Sequence, residues 1–178
     1  MMIAALPMLI LAANVTVPPV VPRWNPKAPE NAQTLPAFSY ATVEPVLTAV
    51  GARFRRTGTS PARPQLAVTF PNNRTALLSL NNCDPEGAAC KALSMQSYWT
   101  PIANSPPERT ADAIAAFNQR YSFAKAFVGT DGRPALQRYL TADYGFIRGN
   151  LAVNFLVFAS QADQFATQVL KPLETAAK

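Results

Sequence analysis

Apolar positions in this chain take helical spacing in some stretches and strand-like spacing in others. Val43, Val46, Leu47 and Val50 recur at i, i+3, i+4 and i+7, one face of a helix. Thr42 is placed to cap it, Pro45 is tolerated in its first turn, and Gly51 stands where a C-terminal cap belongs. Strand-like runs follow over 52–57, 65–70 and 75–80, separated by the turn-rich stretches "GTSPARP" and "PNNR", and another covers 91–99. Pro106 and Pro107 set the start of a second helix with Ile114 and Phe117 on its apolar side. "SFAKAFVGTDGRPALQRYLTADYG" reads as two strands around a turn at Asp131 and Gly132. Asn150 is placed to cap a last helix over 151–170. Leu151, Phe155, Ala159, Ala162, Phe165, Ala166 and Val169 lie on one side of it, and Val157 and Phe158 widen that side toward a second contact surface. This order predicts an α+β domain, an antiparallel sheet of about five to six strands with three helices packed on it.

The ends read differently. "MMIAALPMLILAA" (1–13) is too short to span a bilayer, which takes about 20 apolar residues, but has the length of a signal-peptide h-region ending in small residues. The alternative is a buried apolar arm or strand. Residues 14–35 are rich in proline, which denies them a helix or a central strand, and read as an extended, disordered linker. A domain over 36–172 and a flexible tail over 173–178 complete the division. The expected location is periplasmic or secreted, with no stable membrane span after cleavage.

Composition narrows the chemistry. The chain has 16 Lys and Arg against 10 Asp and Glu, a formal charge of +6, so its surface favours anionic partners: phosphate, acidic lipid or acidic protein. Local density occurs only at Arg53, Arg55 and Arg56, then Arg63 and Arg74. Without interleaved aromatics or a helix-turn-helix or zinc-finger spacing, this reads as a solvated basic face and not a nucleic-acid footprint. Histidine is absent, which removes Ser-His-Asp and Cys-His arrangements and the HExxH zinc site. No metal and no cofactor is expected, and the chain reads as a non-enzyme.

Cys83 and Cys90 are the only cysteines. Two thiols leave a zinc site two ligands short, and six intervening residues depart from the C-x-x-C spacing of a redox pair. In an oxidising compartment, two cysteines flanking a turn between strands form a disulfide, stabilising by roughly 2–3 kcal/mol for so small a loop. In the cytoplasm both would be reduced thiols.

The opening helix ending "LTAVG", the "CKALSM" stretch with its preceding cysteine, "AFNQRYSFAKAFVGTDGRPAL" and the closing apolar helix resemble the YbjN family of bacterial sensory transduction regulators. The third piece carries the likeness best, with Asn118 at a helix end, Phe123 and Lys125 in the next strand, and the Asp-Gly turn. The chain departs from the family pattern at Ala115, where another Asn is expected, and at Phe117, where Trp is common. The resemblance implies a type III secretion chaperone-like fold, frequent dimerisation and a protein-binding or regulatory role, with no catalytic residues to carry over.

Candidate interaction residues are Tyr98, Trp99, Phe117, Asn118, Arg120, Phe123 and Lys125. Against that reading, Asn118 can cap its helix with Arg120 and Lys125 solvated, and Tyr98 and Trp99 can close the edge of a core. Three functions follow: an exported module binding a protein partner or its own copy through a sheet face or the last helix; a small-ligand binder or envelope sensor using the cavity between sheet and helices; and a histidine-free hydrolase, which needs two convergent carboxylates that the sequence does not present.

Overall fold

Burial alternates residue by residue along 65–69 and 75–80, and that alternation gives the sheet its core side. The computed structural model describes residues 24–103 and 105–176. A 3-10 turn (Pro29–Ala32) leads into β1 (Thr34–Leu35), α1 (Tyr40–Ala49), β2 (Arg53–Arg56), β3 (Gln65–Thr69), β4 (Thr75–Cys83) and β5 (Cys90–Tyr98). After these come α2 (Pro107–Arg120), β6 (Lys125–Val128), β7 (Pro134–Thr141), β8 (Phe146–Ile147) and α3 (Arg148–Phe165). Five residues of π-helix (Ala166–Leu170) join α3 to α4 (Lys171–Ala176). The predicted class and order hold: six strands form one antiparallel sheet in the order β2-β3-β4-β5-β7-β6, and β1 and β8 make a separate two-stranded ribbon.

Leu66 and Val68, Leu78 and Leu80, Leu93 and Met95, and Leu136 and Leu140 occupy alternate positions of their strands and are buried on one side of the sheet. They share a core with Val43, Val46 and Leu47 of α1, Ile114 and Phe117 of α2, and Leu151, Phe155, Phe158 and Phe165 of α3. Phe158 meets Phe70 at 6.4 Å between ring centroids, and Phe165 takes Phe117 and Trp99 edge-on at 5.0 and 5.1 Å. Phe158 therefore belongs to the main core and not to a second contact surface. Between sheet and helices these rings pack with the aliphatic side chains of the core.

Three boundaries differ from expectation, one through a local cap and two through partners distant in the chain. Helix α1 starts before Thr42, because Ser39 is the cap: its Oγ accepts from the Thr42 N–H while the Thr42 hydroxyl takes the Ser39 N–H, a reciprocal capping box. Asn150 does not cap α3, which begins at Arg148 directly out of β8. The Arg148 N–H donates instead to the Gln33 carbonyl, so the ribbon satisfies a group a side-chain cap would otherwise take. Gly149 permits this contact, since a Cβ there would lie 3.0 Å from the Asn31 carbonyl oxygen.

The third difference concerns the linker. Of 14–35, the described part (24–35) is built into the domain: Asn31 lies against α3, Leu35 is buried, and Thr34 pairs with Ile147. Proline there sets a 3-10 turn with Pro29 at its start, where a missing N–H costs nothing. At the other end, α4 continues into the expected tail and buries Leu173. The apolar run 1–13 and residues 14–23 lie outside the described residues.

Cys83 and Cys90 are bonded to each other across the β4–β5 hairpin, where they are register partners. Cys90 also exchanges both backbone hydrogen bonds with Phe38, at 2.9 Å each. The staple thus anchors the hairpin beside the segment that enters α1.

Candidate functional site

The strand period that puts the apolar residues on one side of the sheet leaves the other side more polar. The register carries one row straight across all six strands: Arg55, Ala67, Leu77, Gln96, Gln137 and Lys125. Arg53, Thr69 and Thr75 line up beside it at one end, and Tyr98, Ala135 and Phe127 at the other. Gln65, Ser79, Ser94 and Tyr139 form the next row. Ala135 and Ser94 are buried on this side, and the other outward residues lie outside the hydrophobic core. A groove of about 580 Å³ opens over this face between β2 and β5, lined by Arg53, Arg55, Ala67, Leu77, Gln96 and Tyr98 among others. Tyr139 is 50% exposed and Tyr98 38%.

The electrostatics of the face have one sign. No strand of the six-stranded sheet contains Asp or Glu. Arg53, Arg55 and Lys125 are exposed there, and among the described residues none of them makes an ion pair. Arg56, one position on, points to the other side. Its guanidinium grips Glu44 of α1 at 2.6 and 2.9 Å and stacks on Tyr40, and the Glu44 hydrogen bond raises its pKa further. At the far end Arg133 stacks over Tyr98 at 4.8 Å and binds Asp131 at 2.7 Å, which holds the Asp131 carboxyl below the usual carboxylate range.

The two outer strands end the sheet in different ways. At β6, the Asn118 carboxamide accepts from the Ala126 N–H at 2.8 Å and donates to the Ala126 carbonyl at 2.9 Å. Two residues earlier, the Ala124 N–H donates to buried Gln161 of α3 at 3.0 Å. Helix side chains thus occupy the backbone groups that an extra strand would need. At β2, the Thr57 N–H bonds to Gln65, so Arg53 and Arg55, in phase with Thr57, turn their backbone groups toward β3. Phe54 and Arg56 then present theirs outward. Among the described residues no backbone or side-chain group bonds to them there.

The structure separates the seven residues singled out in the sequence. Phe117 is core, 3% exposed. Asn118 does not cap α2, and its amide is held by the Ala126 backbone. Phe123 lies under the Arg138 guanidinium at 4.3 Å, Arg120 lies over Tyr121, and Trp99 is half-buried against Phe165. Only Tyr98 and Lys125 lie on the open face. Arg53 and Arg55 join them there, and the signal for that pair was present in "RFRR": two arginines alternating on a strand with no acid nearby.

No helix of the described residues is long and apolar enough to cross a membrane. A family model described as "YbjN: Putative bacterial sensory transduction regulator" matches residues 39–171. No curated protein matches the chain.

Proposed function

The chain belongs to the YbjN family, and from that premise we propose a non-enzymatic, exported module that binds an acidic protein partner through the uncovered face of its sheet. The family description supports a regulatory or binding role. The observation that carries the finer reading is the acid-free face, on which Arg53, Arg55 and Lys125 stand at the two ends of rows of neutral polar and small apolar residues. Partners are matched by complementary potential, and a face of one sign selects its opposite. Two copies meeting through this face would bring like charges together, which disfavours self-association there. Export is supported by the Cys83–Cys90 bond, since such bonds persist in oxidising compartments.

The test is charge reversal in the native cell. The triple variant Arg53→Glu, Arg55→Glu, Lys125→Glu should lose a chemically crosslinked partner that the wild type retains. All three residues are exposed, so stability should change by no more than about 1.5 kcal/mol in total. The control Arg109→Glu, Arg120→Glu on α2 should retain the partner. Equal retention by the triple variant would contradict the reading.

A further inference from the structure

We infer that the outer edge of β2 is a docking site for an extended acidic segment of the partner, added to the sheet as a seventh strand. This rests on the open-face reading and extends it to a defined contact. Two observations carry it. The first is the contrast between the edges: Asn118 and Gln161 plug β6, whereas the N–H and C=O groups of Phe54 and Arg56 point outward with no partner among the described residues. Unpaired edge groups are the template for strand addition, where main-chain hydrogen bonds supply affinity and alternate side chains supply specificity. The second is the side-chain pattern on that edge, which specifies what the added strand must be.

Cross-strand neighbours share a face. On the open side the new strand would meet Arg53 and Arg55, both exposed and without an ion pair among the described residues, so it carries Asp or Glu at two positions separated by one residue. On the core side it would meet Phe54, a half-buried ring packed against the core, so the residue between the two acids is apolar. Arg56 asks for nothing, because Glu44 already holds it. The geometry therefore reads acid–apolar–acid. A second copy of this chain does not fit, since β2 against β2 would bring arginines near one another, and like charges across a strand pair are unfavourable. Unpaired edge arginines also guard against indiscriminate self-association, which is compatible with admitting an acidic strand.

The experiment uses the full chain and synthetic decapeptides: one with Glu-Val-Glu at its centre, its Lys-Val-Lys counterpart, and the acidic peptide N-methylated at the valine. The acidic peptide should slow amide exchange at Phe54 and Arg56 by at least tenfold at saturation. N-methylation, which removes the donor facing Phe54, should weaken binding at least tenfold, as should Arg53→Glu with Arg55→Glu. If the acidic peptide binds but N-methylation is without effect and those two amides exchange at the free rate, the edge site is overturned while the open-face reading stands. An acidic peptide that binds no better than the Lys-Val-Lys peptide overturns both.

Discussion

Asn118 shows how a single side chain can be legible by type and illegible by role. Its place at the end of an amphipathic helix suits a cap, yet the helix runs on to Arg120 and the amide reaches across to β6. No local pattern encodes that contact, because Ala126 becomes its neighbour only when α2 and β6 pack. Asn118→Ala would leave two partly buried backbone groups without partners, which costs about 1–3 kcal/mol each when unsatisfied. Urea unfolding should show a loss of at least about 1 kcal/mol, against no more than about 0.5 kcal/mol for exposed Arg120→Ala. Asp131 is simpler. The Asp-Gly turn was readable from the sequence, and its Arg133 partner, two residues on, depresses the carboxyl pKa. A depressed folded-state pKa stabilises above the unfolded value, near 3.9, and that contribution is lost as pH falls through the folded one. Carbon-detected titration should therefore place the Asp131 midpoint below an ordinary Asp, and Arg133→Gln should move it up. Stability at neutral pH should not depend on pH through this group.

Element types were readable where periodicity was strong, and boundaries failed where a long-range partner set them. The alternation in β3 and β4 left no ambiguity about which residues face inward. The start of α3 was misread because Asn150 is a good cap by composition, while the group that serves Arg148 is the Gln33 carbonyl, more than a hundred positions earlier in the chain. The β1–β8 ribbon was invisible for the same reason, with two residues on each side and prolines leading in. The β4–β5 hairpin was predictable because its cysteines flank a turn rich in Asp, Pro and Gly. Closing so short a loop contributes about 2.5 kcal/mol by the chain-entropy relation. The double variant Cys83→Ser, Cys90→Ser should be less stable by roughly that amount in denaturant, and reductant should lower the wild type but leave the variant unchanged.

At the scale of the molecule, one sheet is sealed by helices on one side and, among the described residues, is open and cationic on the other and plugged at one edge alone. Neither asymmetry lies in any single motif. The Arg53 and Arg55 pair and Lys125 are far apart in sequence and become one electrostatic unit only through the register that joins β2 to β6. Binding governed by such a face should weaken as salt screens it, because the Debye length contracts from about 10 Å at 0.1 M to about 3 Å at 1 M. The most direct measurement is site-specific photocrosslinking in living cells, with the reactive side chain placed in turn at Tyr139, at Arg55 and, as a control, at exposed Asp112 on α2. One common polypeptide should be trapped from the two sheet positions and not from Asp112; trapping from Asp112 alone would rule out binding through the open face.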